Sequence, residues 1–225
     1  MIGPFALACL DMAGTTVRDD GAVEAAFRTA LAAVGIAEGS RRAEEAQTVV
    51  RRTMGWSKAD VFASLLGPKE AGEATAAFAA AYEAIVATGA VTEIPGARQV
   101  LRDLRAAGVM VCLTTGFAPS TRDAVLHALG WRTEVDLALS PVDVGRGRPA
   151  PDLVLGAMAR LGVAEPGGVV VVGDTVSDLE AGAAAGAGAV VGVLSGAHDE
   201  AALAAAAPTA IIADVTGLLA VLGAG

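Results

Sequence analysis

The chain has 225 residues, a formal net charge of −9 and 54% hydrophobic residues. This apolar content excludes global disorder, and the lack of any basic run argues against a nucleic-acid partner. No apolar stretch reaches the roughly 20 residues of a membrane-spanning helix and no secretory signal is visible, so we expect a cytoplasmic protein without a membrane partner.

Six short apolar runs predict buried strands, because they are continuous rather than alternating, as in strands covered on both faces. They are residues 5–10, 109–113, 137–139, 169–172, 190–194 and the weaker 210–213. Helical patterns lie between them, such as the i, i+3, i+4, i+7 spacing from Ala97 to Leu104, which ends before Gly108. This alternation predicts an α/β fold with a doubly wound, mostly parallel sheet. Cys9 and Cys112 lie inside apolar runs and are expected to be buried thiols.

One stretch breaks the alternation of strands and helices. Residues 23–34, 44–50, 58–66 and 69–86 all have helical patterns, and no convincing strand lies among them. We therefore predict an α/β core of residues 1–18 and 92–225. Residues 19–91 are predicted to form a helical cap, inserted after the first strand.

Polar residues follow the predicted strands, where ligands bind in open α/β sheets. Asp11 follows the first strand, Thr115 the second and Asp174 the fourth, and Arg148 lies a little beyond the third. Two carboxylates on adjacent strand ends are able to share one Mg²⁺, which prefers oxygen ligands. Thr115, nearby backbone N–H groups and Arg148 suit phosphate oxygens. Together these segments predict phosphoryl transfer through an aspartyl-phosphate.

The order of these motifs resembles the haloacid dehalogenase superfamily over nearly the whole chain. The matching motifs are Asp-x-x-Gly-Thr from Asp11, the Thr after a strand, the basic residue before Pro149, and Gly-Asp-x-x-x-Asp from Gly173. The resemblance implies that Asp11 is the nucleophile and that the inserted helices are the superfamily's cap. It also implies a magnesium site made by Asp11, Asp174 and the carbonyl of Ala13, with Asp178 reaching the ion through water.

Ala13 marks a departure within the first motif. Most phosphatases of the superfamily have an Asp there, which protonates the leaving alcohol, and loss of a general acid costs on the order of 10²–10⁴-fold in rate. The segment Asp-x-Ala-Gly-Thr-Thr instead resembles the phosphonoacetaldehyde hydrolases, or phosphonatases. Arg148, where most of the superfamily has Lys, and the Met-Gly-x-x-Lys pattern that ends at Lys58 match the same group. The resemblance implies that Lys58 forms a Schiff base with the substrate aldehyde.

The Schiff base explains how the chain manages without an acid at Ala13. Breaking a C–P bond leaves a carbanion, and a protonated imine next to that carbon accepts its electron pair. The amine must be neutral to attack the carbonyl. Ser57 is expected to cap a helix that begins at Lys58. The helix N-terminus and desolvation under a closed cap then predict a lowered pKa for Lys58.

The substrate stays open, because the chain lacks some phosphonatase features. Val61 stands in the place of a His, Phe117 in the place of a Tyr, and the loop after the first motif has no matching Cys. Phosphonoacetaldehyde and a related 2-oxo-alkylphosphonate are equally plausible substrates. The residues expected to bind the substrate are Thr15, Met54, Gly116 and Phe117. For Met54, the sequence fits pocket lining and core packing equally well.

Two other functions remain as alternatives. One is a phosphomonoesterase with the same nucleophile and metal, and the other is a non-catalytic module that binds an anion. The resemblance also implies a possible homodimer formed through the cap, for which the apolar helix 23–34 is a candidate. Neither His127 nor His198 is expected to be catalytic.

Overall fold

A computed structural model describes residues 5–18 and 20–223. Its strands are β1 (Leu7–Asp11), β2 (Val17–Arg18), β3 (Thr92–Glu93), β4 (Met110–Thr114), β5 (Leu137–Leu139), β6 (Val169–Gly173), β7 (Ala189–Val193) and β8 (Ala210–Ile212). Its α-helices are α1 (Ala22–Ala33), α2 (Arg41–Arg52), α3 (Lys58–Leu65), α4 (Pro68–Ala87), α5 (Ala97–Ala106), α6 (Pro119–Ala128), α7 (Asp152–Leu161), α8 (Val176–Ala184), α9 (Glu200–Ala205) and α10 (Leu218–Gly223).

Six strands form one parallel sheet in the order β5-β4-β1-β6-β7-β8. The predicted α/β fold with a doubly wound parallel sheet is therefore confirmed. The chain first builds outward from β1 through β4 to β5 and then returns to the other side of β1 through β6. The crevice between β1 and β6 is thus the topological switch point, where ligands bind in such sheets.

Apolar residues pack on both faces of this sheet. One cluster joins a face of the sheet to the helices that follow β1, and a second lies under α7 on the other face. The predicted apolar stripe of α5 is buried, and the helix is followed by Gly108 at φ 83°, as expected for a glycine stop. Cys9 and Cys112 are register partners on β1 and β4 and are both buried. A hydrogen bond between Cys112 and Cys9 is the largest cause of the pKa of Cys112 lying well above its ordinary value, and burial is the second cause.

Helices α1 to α4 follow β1, as the sequence predicts, with no strand between Ala22 and Ala87 in the described chain. Aromatic rings join them: Phe27 of α1 lies 4.8 Å from Phe78 of α4, measured between ring centroids. The apolar side of α1 is buried within the chain, so it is not an exposed dimer surface as the sequence suggested.

The short antiparallel pair β2–β3 joins the segments that lead into and out of these helices. Two-residue strands are too short to give a sequence pattern, and the sequence did not predict them. The predicted domain bounds at residues 1, 19 and 225 lie outside the described residues. In the part of the chain that the structure covers, no helix is both long and apolar enough to cross a bilayer.

Candidate active site

The predicted site residues begin where three neighbouring strands end. Asp11 is the last residue of β1 and pairs in register with Thr114, the last residue of β4. Thr115 follows directly and is tied to β5 because its N–H donates to the carbonyl of Leu139 at 3.1 Å. Asp174 follows the last residue of β6. The parallel register therefore brings Asp11, Thr115 and Asp174 to the same edge of the sheet.

Arg148 reaches this edge from the loop after β5. Its side chain is buried, and its Nη1 donates to Oδ1 of Asp11 at 2.6 Å. The same nitrogen contacts the carboxylate of Asp178. One guanidinium thus holds the carboxylate of Asp11 and links it to the start of α8, where Asp178 lies.

Asp178 belongs to a capping box at the N-terminus of α8. Its Oδ2 accepts hydrogen bonds from the N–H of Thr175 at 3.2 Å and from the Thr175 hydroxyl at 2.5 Å. In return, the Thr175 oxygen accepts from the N–H of Asp178. Such reciprocal bonds satisfy helix N–H groups that have no partner within the helix. Asp178 therefore stabilises the N-terminus of α8 next to this edge of the sheet.

Asp174 is almost fully buried, and its carboxylate is held by two donors. Oδ1 accepts from the Thr15 hydroxyl at 3.1 Å, and Oδ2 accepts from the N–H of Ala197 at 2.7 Å. Gly14 and Gly196 approach so closely that a Cβ on either would collide with this carboxylate. Burial, and secondly the negative charge of Asp11, raises the pKa of Asp174 to about 7. An ionised Asp174 is therefore costly unless a cation lies beside it.

The donors at this edge fit a magnesium ion. Asp11, Asp174 and Ala13 line one cavity, so that two acidic residues and a residue with a backbone carbonyl lie around the same space. All of these residues offer oxygen ligands, which Mg²⁺ prefers. The raised pKa of Asp174 reflects burial and repulsion from Asp11, and a divalent cation would offset that repulsion. Among the described residues no group of three or more His, Cys, Asp and Glu is arranged for a metal. A bound Mg²⁺ would therefore also use carbonyl and water oxygens.

Lys58 comes to the same cavity from the other side, on the helices that follow β1. It is the first residue of α3, as predicted, and it is only 8% exposed. The predicted cap differs: within the described chain, the Ser57 side chain makes no capping hydrogen bond. The N–H of Lys58 instead donates to the carbonyl of Gly116 at 3.1 Å. A contact with the core thus satisfies the N–H of the first residue of the helix.

Three phenylalanine rings surround the amine of Lys58. Nζ lies 5.5 Å from the ring centroid of Phe27, 5.9 Å from that of Phe78 and 5.7 Å from that of Phe117. Phe27 and Phe78 come from α1 and α4, and Phe117 comes from the loop after β4. The amine is thus held between the inserted helices and the core, away from bulk solvent.

The cavity between these two sides is small, about 30 Å³. A wider cleft of about 930 Å³ adjoins it and shares Ala13, Val23, Met54 and Asp174 with it. His198 lines this cleft, where its Nδ1 accepts from the N–H of Val176 at 3.0 Å. Burial lowers the pKa of His198, which favours the neutral ring.

A match to a family model identifies the chain. Residues 5–186 match the model of the haloacid dehalogenase-like hydrolases. The chain belongs to this family of hydrolases.

Individual relatives divide between two activities. The chain is 39% identical over 92 residues to the phosphonoacetaldehyde hydrolase of Bacteroides fragilis, a match that covers 40% of this chain and 34% of that enzyme. It is 30% identical over 211 residues to the "Probable phosphatase IndB" of Dickeya dadantii, which covers 92% and 88% of the two chains. The crystal structure of a hydrolase from Pseudomonas syringae gives a TM-score of 0.84 at 26% identity, with 97% and 98% covered.

These comparisons confirm the predicted family resemblance, and the structure locates the residues for which that resemblance implies a role. The predicted site residues that line the small cavity are Asp11, Ala13, Met54, Lys58, Thr115, Gly116, Phe117, Arg148 and Asp174. Thr15 and Asp178 are buried beside this cavity and do not line it. The hydroxyl of Thr15, predicted to bind substrate, instead supports Asp174.

Other residues of this haloacid dehalogenase-like hydrolase were missed from the sequence. Val23, Gly55 and Thr175 line the small cavity, and Phe27 and Phe78 surround the amine of Lys58. Gly55 lies inside the Met-Gly-x-x-Lys pattern and could have been found there. The two phenylalanines lie on separate helices, and no spacing in the sequence pairs them.

Proposed function

We propose that this hydrolase cleaves the C–P bond of phosphonoacetaldehyde or a related 2-oxo-alkylphosphonate in the presence of Mg²⁺. One observation carries the proposal: the buried amine-bearing Lys58 lines the same small cavity as Asp11 and Arg148. A lysine amine at this position suits imine formation with a substrate carbonyl. The proposal treats residues 19–91 as the cap and residues 1–18 and 92–225 as the core.

The reaction begins at Lys58. The neutral amine attacks the carbonyl carbon of the substrate, and loss of water gives an imine. Uptake of one proton from solvent makes it a protonated imine, a C=N bond that carries a positive charge. The phosphonyl group on the adjacent carbon then faces the core side of the cavity. Exclusion of water by Phe27, Phe78 and Phe117 protects the imine from early hydrolysis.

Asp11 performs the second step. Its carboxylate attacks phosphorus, the C–P bond breaks, and the bonding electron pair moves into the imine to give a neutral enamine. Protonation of the enamine carbon and hydrolysis then release the aldehyde and restore Lys58. Water finally hydrolyses the aspartyl-phosphate to inorganic phosphate. No acid is needed at Ala13, because the leaving carbon is never a free carbanion.

The remaining residues bind the phosphonyl group and hold the nucleophile. Arg148 orients Asp11, and its buried Nε–H has no acceptor among the described residues, which leaves that donor for a phosphonyl oxygen. Thr115 and Gly116 supply further donors at the same edge. Asp11, Asp174 and the carbonyl of Ala13 would hold Mg²⁺, which would supply positive charge to neutralise the phosphonyl oxygens. A cavity of about 30 Å³ holds roughly one water molecule, so the substrate enters only when the cap moves away.

A phosphomonoesterase is the second candidate, and similarity to the "Probable phosphatase IndB" over 92% of the chain favours it. That activity would use Asp11 and the same metal but leave Lys58 without a chemical role. Ala13 argues against it for poor leaving groups, because the position has no proton to give.

Borohydride trapping tests the proposal, because it reduces an imine to a stable amine. Lys58 and Lys69 are the two lysines of the chain. Lys69 has an 89% exposed side chain and serves as an internal control. With phosphonoacetaldehyde and borohydride, peptide mass mapping should find the adduct on Lys58. More adduct on Lys69 than on Lys58, or no adduct on the folded protein, would contradict the proposal.

Two variants separate the steps. Lys58→Arg should lose trapping and reduce C–P cleavage by about 10³-fold or more while only weakening the hydrolysis of activated phosphate esters. Asp11→Asn should still be trapped at Lys58 but release no phosphate. Equal loss of ester and phosphonate hydrolysis in Lys58→Arg would favour the phosphomonoesterase, and phosphate binding without turnover of any substrate would favour a non-catalytic module.

A further inference from the structure

The segment from Met54 to Lys58 is held on the core by two hydrogen bonds, one with helix α8 and one with the loop after β4. The hydroxyl of Ser177, in the first turn of α8, donates to the carbonyl of Met54 at 3.2 Å. At the other end, the N–H of Lys58 donates to the carbonyl of Gly116 at 3.1 Å. The reactive lysine is thus positioned by contacts outside its own helix.

Close backbone approaches accompany these bonds. Gly55, at φ 85°, packs on Thr175, and Gly116 packs on the carbonyl of Trp56, so that a Cβ on either glycine would collide. Gly147, next to Arg148, also packs on Ser57, where a Cβ would lie 3.0 Å from the Cβ of Ser57. The loops that carry Thr115, Arg148 and Asp174 therefore all touch the lysine-bearing segment.

The first turn of α8 connects the two sides of the cavity. Ser177 binds the lysine-bearing segment, and the next residue, Asp178, contacts Arg148, which in turn holds Asp11. Ser177 is itself only 6% exposed, so its hydroxyl bond is protected from competition by water. A displacement of this turn would move both the amine and the nucleophile.

We infer that Ser177 is a positioning residue that fastens the Met54–Lys58 segment to the core and so fixes the amine opposite Asp11. Without its hydroxyl, the carbonyl of Met54 loses a buried donor and the segment separates from the core more often. The inference about geometry is independent of chemistry, whereas its effect on imine formation rests on the proposed function.

Hydrogen exchange of the Lys58 amide measures this fastening directly. Lys58 is the first residue of α3, so its N–H has no acceptor within the helix and its protection reports the bond to Gly116. In the full-length Ser177→Ala protein, we expect this amide to exchange about three- to tenfold faster, as expected for loss of one buried hydrogen bond. Amides of the central strands should be unchanged, which shows that the variant folds.

Ser64→Ala is the matched control, because the Ser64 hydroxyl bonds to Val61 within α3 and does not reach the core. It should leave exchange at Lys58 unchanged. Gly116→Ala disturbs the contact between the loop after β4 and the Met54–Lys58 segment. It should also speed exchange at Lys58, and it serves as a second variant if Ser177→Ala is hard to purify. Unchanged exchange at Lys58 in a folded Ser177→Ala protein would overturn the inference, as would an equal increase in Ser64→Ala.

Trapping by borohydride gives the chemical readout. Ser177→Ala should form the Lys58 adduct with phosphonoacetaldehyde three- to tenfold more slowly, while its affinity for Mg²⁺ stays that of the wild type. If the wild-type protein forms no adduct, the proposed function fails, and the exchange data still decide the role of Ser177. If the wild type is trapped and Ser177→Ala is trapped at the same rate, the inference about Ser177 fails alone.

Discussion

Arg148 and Asp11 form a buried ion pair in which Nη1 donates to the carboxylate at 2.6 Å. The same nitrogen contacts Asp178 at the start of α8. The carboxylate of Asp11, the proposed nucleophile, is therefore oriented by a planar cation that is itself fixed by a helix N-terminus. A lysine would offer a compact charge on a flexible stem and could not keep this geometry.

Arg148→Lys should consequently lower kcat/KM for the phosphonate on the order of 10²-fold, the cost of misplacing a reacting group by about 1 Å. Arg146→Lys is the control, since Arg146 lies two residues away with a 72% exposed side chain and pairs with Asp152. An exposed pair of this kind contributes little, so steady-state rates should stay within about twofold. Full activity of Arg148→Lys would contradict the role given to the guanidinium.

Ala13→Asp should change the preferred reaction. The new carboxylic acid stands at the edge of the cavity and is able to protonate an alcohol leaving group. We expect hydrolysis of unactivated phosphate esters to rise by about 10²-fold, at the low end of general acid catalysis, with no gain in C–P cleavage. Ala13→Asn has nearly the same size but no acidic proton and should give no rise. An equal effect of the two substitutions on ester hydrolysis would show that the acid is irrelevant.

Much of the fold was predictable because buried parallel strands have continuous apolar sequences. All six strands of the main sheet appear near the predicted positions, and the parallel register then forces Asp11, Thr115 and Asp174 to one edge. The long gap between apolar runs likewise predicted the inserted helices. These features depend on local composition and on general rules of topology.

Contacts between distant segments could not be predicted in this way. The support of Asp174 by Thr15 and the bond from Ser177 to Met54 join residues 159 and 123 positions apart. The bond from the N–H of Lys58 to the carbonyl of Gly116 likewise joins distant segments. Such contacts depend on the three-dimensional fold and not on local sequence propensity.

The raised pKa of Asp174 predicts how pH affects the metal-free protein. The folded-state pKa, about 7, lies above the ordinary value of 3.8, so the folded state binds a proton more tightly than the unfolded state. The stabilisation from this group is complete below about pH 4 and is lost as pH rises through 7. Thermal unfolding without divalent metal should therefore show a falling Tm across this range.

Asp174→Asn tests the same point, since its side chain never ionises. Without metal at pH 8, it should be more stable than the wild type by up to a few kcal/mol. Saturating Mg²⁺ should reverse the order, because binding stabilises only a protein that keeps the carboxylate. A wild-type Tm that is flat with pH, or a variant that Mg²⁺ stabilises as strongly as the wild type, would contradict this assignment.

His198 should affect magnesium binding through the loop that carries Asp174. Its backbone N–H donates to the Asp174 carbonyl at 3.2 Å, and its ring accepts from the N–H of Val176 at 3.0 Å. His198→Leu removes the ring acceptor and should weaken Mg²⁺ affinity by about 10–100-fold, as loss of groups that orient metal ligands does. His198→Asn keeps an acceptor in a similar position and should stay within a few-fold of wild type. Calorimetric titration with Mg²⁺ measures both, and equal affinities in the two variants would show that the ring does not support the site.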